Sequence, residues 1–119
     1  MKKVYRVKKS SEIEMIIRKR QSKGNKYFVL YKYENHEVSH FRYAVSVSKK
    51  YGNAVERNKV KRRIRDIISN SDIKDQYDIF VVVKPDAKSL DFISIKESIE
   101  PLMQKQNILR RKNNEIKYL

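Results

Sequence analysis

The chain contains no cysteine and no tryptophan, and only two glycines and two prolines among 119 residues. Without cysteine there can be no disulfide, no thiolate metal site and no cysteine nucleophile. So little glycine and proline argues against collagen-like and linker-like chains. No apolar run is long enough to suggest a transmembrane helix. The opening residues Met1-Lys2-Lys3-Val4-Tyr5 lead into more charge and not into an apolar block, so no secretory signal is expected and a cytoplasmic location is the default. Acidic residues are scarce too: 14 Asp and Glu stand against 29 Lys and Arg, a net charge of +15. An excess of this size produces self-repulsion in the compact state and favours polyanionic partners. An anionic membrane could accept such charge, but its placement favours nucleic acid, and no stable membrane partner is expected.

What is present suffices for a core. Hydrophobic residues make up 39% of the chain, and a domain of this length buries roughly two thirds of its extended-chain surface. A single RNA-binding domain is expected over residues 1–119, with residues 113–119 polar enough to fray. Residues 11–19 read as an amphipathic helix with Ile13, Ile16 and Ile17 as its apolar stripe. Ser11 and Glu14 have capping-box spacing, and Gly24-Asn25 is expected to end the element. Residues 27–33 alternate as a strand, with Tyr27, Val29, Tyr31 and Tyr33 on one face and Phe28, Leu30 and Lys32 on the other. Residues 41–48 alternate likewise, with Phe41, Tyr43, Val45 and Val47 together, and an antiparallel pairing of the two strands is expected. A helix to about Ser69 buries Val60, Ile64, Ile67 and Ile68. Residues 78–83 form the most continuous apolar run, a central strand closed by Pro85. A last helix begins between Ser89 and Ser94, where Ser94 and Glu97 again have capping-box spacing. Pro101 is expected to kink that helix or to begin another, with Leu102, Met103, Ile108 and Leu109 adding contacts. The reading is a small two-layer α/β domain.

The most distinctive stretch is KKYGNAVERNKVKRRIR, residues 49–65, in which eight of seventeen side chains are basic and only Glu56 is acidic. On a helical period Arg57, Lys61 and Arg65 form one stripe, flanked by Asn58 and Arg62, while Val60, Ile64, Ile67 and Ile68 face elsewhere. Lys59 and Arg63 border the other side of the apolar stripe. Like charges at i,i+4 are mildly destabilising without a partner, and a phosphate backbone reverses that penalty. A merely solvated basic face is the bland alternative. Gly52 offers room for the backbone, Asn53 and Glu56 have the spacing of a cap and its reciprocal partner, and bare amides there could hold an anion. Lys49 and Lys50 arrive from the preceding strand.

The same stretch extended to Asp66 resembles the signature of the protein subunit of bacterial ribonuclease P. SVSKK (residues 46–50), YFVLY (27–31) and VVVKP (81–85) support the resemblance in the expected order over most of the chain. It implies the order α-β-β-β-α-β-α in a two-layer sandwich with a left-handed β-α-β crossover, an exception to the usual hand. The third early strand would be short, near residues 20–23. It further implies a ribonucleoprotein endonuclease that removes the 5′ leader from precursor tRNA. In this family the catalytic RNA performs hydrolysis with Mg²⁺ that the RNA mainly binds. The protein binds that RNA and the leader and raises affinity for substrate and Mg²⁺, and alone it would be non-catalytic. Carried over by position, Lys49, Lys50, Gly52, Asn53, Arg57, Asn58, Lys61, Arg62 and Arg65 would bind RNA. Ile13, Ile17, Phe28 and Tyr31 would line the leader cleft, with isoleucines where the family usually has aromatics, so apolar contact replaces stacking there.

Other readings stay open at this point. Tyr27 and Tyr43 suit ordinary packing, and Tyr31 divides between packing and the cleft. His36 and His40 lie in a turn without further ligands, so no metal site is expected on the protein. Asp66 is expected to pair with Arg62 or Arg63 one turn back. No catalytic side chain is assigned. A general or ribosomal RNA-binding protein is the runner-up, and a nuclease whose carboxylates meet only in the fold is a more distant third.

Overall fold

A computed structural model describes residues 5–110. The elements run α1 (Ser10–Arg18), β1 (Ser22–Gly24), β2 (Phe28–Glu34), β3 (Arg42–Val47), a 3-10 turn (Lys49–Tyr51), α2 (Ala54–Ser69), β4 (Tyr77–Val83), a second 3-10 turn (Pro85–Ser89) and α3 (Phe92–Lys105). This is the expected order. The expected frayed segment, residues 113–119, lies outside the described residues.

The strands form one sheet in the order β1-β2-β4-β3. Here the expected β2–β3 pairing is corrected: β4 lies between them, antiparallel to β2 and parallel to β3. Parallel neighbours need a long crossover, and α2 supplies it. The central position also suits the β4 sequence, whose Ile79, Phe80, Val81 and Val83 are all buried. The short strand expected near residues 20–23 is β1, paired with β2 so that Gly24 faces Val29. Gly24-Asn25 thus belongs to a hairpin and does not terminate α1. A Cβ on Gly24 would stand 3.3 Å from the Phe28 carbonyl oxygen. The Asn25 side-chain oxygen accepts from the Tyr27 and Phe28 amides at 2.9 Å each.

The two faces of the sheet bury different sets. Phe28, Leu30, Tyr43, Ile79, Val81 and Val83 pack with Val60, Ile64, Ile67 and Ile68 of α2 and with Ile95, Ile99, Leu102 and Met103 of α3. Each such aliphatic side chain fully removed from water contributes about 1.5–3 kcal/mol. This sheet-and-helix pair is the two-layer sandwich. On the other face a smaller cluster joins Ile16 of α1 to Val7 and Phe80, with Ile13, Tyr31, Tyr33, Ala44 and Val82 packed around it. α1 covers only part of that face.

Three helix-end expectations change. α1 starts after Lys9 with no side-chain cap, because Ser11 and Glu14 both lie inside the helix. α3 is capped by Asp91, whose carboxylate accepts from the Ser94 amide at 2.8 Å, and not by Ser94 with Glu97. α3 also continues through Pro101 and does not restart there. Pro101 and Glu97 are both exposed, so the carbonyl that loses its helical donor is open to water.

Candidate RNA interface

The interface begins where β3 leaves the sheet. The Ser48 hydroxyl accepts from the Lys50 amide at 3.2 Å and shapes the 3-10 turn, which leaves Lys49 and Lys50 exposed. The expected capping box then closes in both directions. The Asn53 side chain accepts from the Glu56 amide at 2.9 Å, and the Asn53 amide donates to Glu56 Oε1 at 3.0 Å. Gly52 leaves room for the Glu56 side chain: a Cβ there would stand 2.5 Å from Oε1, so a larger residue would displace the carboxylate that closes the box. The hydrogen bond from the Asn53 backbone, and then Lys88, hold the Glu56 carboxyl below its usual range. The box is therefore intact above the ordinary carboxylate pKa and is lost as acid takes the pH through the lowered value. The box occupies the Asn53 and Glu56 amides and leaves those of Ala54 and Val55 as the bare amides of the first turn. The larger anion-binding capacity here lies in the side chains.

Those side chains are available. Val60, Ile64, Ile67 and Ile68 turn inward, while Arg57, Lys61 and Arg65 are partly exposed and Asn58 and Arg62 exposed. Among the described residues, none of these four cations forms a salt bridge. Asp66 does not pair with Arg62 or Arg63 as expected. It is exposed, and its backbone carbonyl accepts from the Ser69 hydroxyl and the Asn70 side chain at the helix end. The stripe therefore carries concentrated charge that the described residues do not neutralise.

The proposed leader wall is only partly assembled. Ile13 and Tyr31 meet in the smaller cluster, and Ile17 beside them is 40% exposed. Phe28 must be removed from the wall. It is 0% exposed, on the opposite face of β2 from Tyr31, inside the main core. Two aromatics that the sequence reading did not place there adjoin Tyr31: Phe80, which is buried, and Tyr33, which is partly exposed. The Phe80 ring lies 5.9 Å from that of Tyr31, and Tyr33 carries Lys19 Nζ 5.9 Å from its centroid.

A buried ionic network fixes α1 over this face. Arg42 of β3 grips Asp78 of β4 through Nε and Nη2 at 2.9 and 2.8 Å, and Nη2 reaches Glu12 of α1 at 2.7 Å. Asn35 donates a further bond to Asp78 at 3.1 Å. The bond to Asp78 and the attraction of both carboxylates raise the Arg42 pKa against the opposing effect of burial. The remaining polar groups have local roles. His36 bonds Gln76, and His40 bonds the Phe41 carbonyl and packs on Tyr5. Tyr43 is core and Tyr27 packs against it.

These features describe a small α/β protein with a basic helix on one side of the sheet and a partly covered aromatic face on the other. A ribonuclease P family model matches residues 1–107. A ribonuclease P protein component of Acholeplasma laidlawii is 42% identical, covering 93% of this chain and 97% of the relative. A Staphylococcus aureus RNase P protein mutant with defective mRNA degradation activity superposes with a TM-score of 0.83 at 39% identity, over 90% of this chain and 92% of that one. The Thermotoga maritima RNase P protein gives a TM-score of 0.75 at 26% identity, over 84% and 96%. The chain belongs to the ribonuclease P protein family. It is accordingly a subunit of the tRNA 5′-processing endoribonuclease, a ribonucleoprotein whose other component is the RNase P RNA.

Proposed function

We propose that α2 and its approach bind the catalytic RNA, that the face between α1 and the sheet binds the 5′ leader of precursor tRNA, and that the RNA carries out hydrolysis. The observation behind this reading is the stripe Arg57-Lys61-Arg65 with Arg62, off the packing face and without carboxylate partners among the described residues. Phosphates are the complementary charge. Mg²⁺ belongs with the RNA in this reading. No group of three His, Asp or Glu side chains able to hold a metal occurs among the described residues. The protein's contribution is to position leader and catalytic RNA, which raises substrate and Mg²⁺ affinity. No helix among the described residues is long and apolar enough to cross a membrane, and cytoplasmic work on tRNA fits this reading.

The test is multiple-turnover cleavage of precursor tRNA at low Mg²⁺ with protein alone, RNA alone and the mixture. The mixture is expected to exceed RNA alone, and protein alone to give no product. Robust cleavage at the mature 5′ end by RNA-free protein would overturn the assignment of catalysis to RNA. A second reading rests on the S. aureus RNase P protein mutant with defective mRNA degradation activity: the same activity here would be additional to tRNA processing. A further arm with RNA-free protein and an unstructured mRNA tests it, and mRNA breakdown there would support that second activity.

Leader contact has its own test. Tyr31→Ala is expected to weaken precursor tRNA more than mature tRNA in complexes with the same RNA subunit. A base stacked on Tyr31 contributes about 1–3 kcal/mol, and the neighbouring Phe80 ring keeps the result near the lower end. If shortening the leader stepwise has the same effect on wild type and Tyr31→Ala, the tyrosine serves packing alone.

A further inference from the structure

The basic residues on the other flank of α2 are not used by the stripe. Lys59 and Arg63 lie across the Val60-Ile64-Ile67 packing face from Lys61 and Arg65, and they open onto a cleft between α2 and the 3-10 turn at Pro85–Ser89. The cleft has a volume of about 220 Å³, which is room for several waters or one phosphate group. Lys88 enters from the 3-10 turn, and Tyr51 forms the floor.

The charges in this cleft do not cancel. Glu56 is the one carboxylate lining it, already committed to the Asn53 amide and 3.2 Å from Lys88. Lys59 and Arg63 form no salt bridge among the described residues. Nearby Asp91 is occupied in capping α3. Tyr51 is 8% exposed, and no hydrogen bond bears on its hydroxyl among the described residues. A phenol that lines a cationic cleft and has no protein acceptor can donate its hydroxyl to an anion there. Burial raises its pKa, Arg63 and Lys88 lower it and Glu56 raises it. The hydroxyl therefore stays protonated near neutral pH and able to donate.

We infer that Tyr51, Lys59, Arg63 and Lys88 form a second phosphate site, which takes a backbone phosphate of the RNA subunit separate from those facing Arg57, Lys61 and Arg65. α2 then lies between two segments of RNA backbone, one along each flank. A helix with its side chains is about 10–12 Å across, so one phosphate cannot serve both flanks. The site rests on partnership with the RNA subunit, but not on the leader face or on where catalysis occurs.

The experiment measures the dissociation constant for the RNA subunit against salt for wild type, Arg63→Gln with Lys88→Gln, Tyr51→Phe, and a control, Lys96→Gln with Lys105→Gln. The control removes the same charge from exposed positions on α3. Circular dichroism checks the fold of each. Arg63→Gln with Lys88→Gln is expected to bind about tenfold more weakly at 0.15 M salt, with a salt slope shallower by about 1.5. Tyr51→Phe loses no charge and is expected to weaken binding two- to fivefold at an unchanged slope, an effect on the order of one modest hydrogen bond. If the Arg63/Lys88 variant matches the control in affinity and slope, only net charge matters and the site is overturned. Wild-type affinity for Tyr51→Phe would likewise remove the hydroxyl, and the built site with it. Failure of the wild-type protein to bind the RNA at all would instead defeat the partnership on which the site rests.

Discussion

Asp78→Ala is expected to destabilise the isolated domain by about 3 kcal/mol, because it leaves a mostly buried guanidinium without its main acceptor. Asp78 is 1% exposed, and it takes two Arg42 hydrogen bonds and one from Asn35. Removing one member of a buried pair typically costs about 3–5 kcal/mol. The lower end applies because Arg42 keeps Glu12 at 2.7 Å. In a domain of this size the loss corresponds to roughly a 10 °C fall in melting temperature. Glu12→Gln, at the more exposed end of the network, is expected to cost about 1 kcal/mol, the size of an ordinary hydrogen bond. Its second consequence is local. Glu12 is the side chain through which α1 reaches the network, so amides of α1 are expected to exchange faster while those of α2 do not change. A melting temperature for Asp78→Ala within a degree or two of wild type would show that the network adds nothing to stability.

That network was not legible in the sequence, and the reason is physical. Its members lie on α1, β3 and β4, and only the sheet order brings them together. Adjacency along the chain suggested that β2 and β3 would pair, but the α2 crossover places β4 between them and so sets Arg42 opposite Asp78. Local signals were reliable. Asn53 with Glu56, and the spacing of Val60, Ile64, Ile67 and Ile68, determined the start and the buried side of α2 before any tertiary contact was known. The same alternation that defined β2 already separated Phe28 from Tyr31, so parity alone forbids both from lining one groove. Capping was less decidable. Ser11, Ser94 and Asp91 are all good caps by type, and tertiary packing selected Asp91 for α3 and no side chain for α1. The Tyr51–Arg63–Lys88 cleft also needed the fold, since Lys88 reaches it from the turn beyond β4.

Arg57→Ala combined with Arg62→Ala is expected to weaken binding to the RNA subunit by about 2–3 kcal/mol, roughly 30- to 150-fold, at moderate salt. Each guanidinium can donate two parallel bonds to a phosphate, and hydrogen bonds to charged groups contribute about 1.5–3 kcal/mol. Exposure to solvent holds each of these near or below the bottom of that range. The fold is expected to survive, because both side chains point away from the buried face of α2 and neither forms a salt bridge among the described residues. Removing two cations also relieves repulsion along the helix, so its melting temperature is expected to hold or rise slightly. The loss of affinity should come with fewer counterions released, making the salt slope shallower by about 1.5 to 2. Under saturating assembly conditions the same variant should regain precursor cleavage, since its defect lies in joining the RNA and not in holding the leader. Tyr31→Ala should show the reverse pattern, with assembly unchanged and precursor preference reduced. A folded Arg57/Arg62 variant with wild-type affinity and wild-type salt slope would remove α2 from the RNA interface.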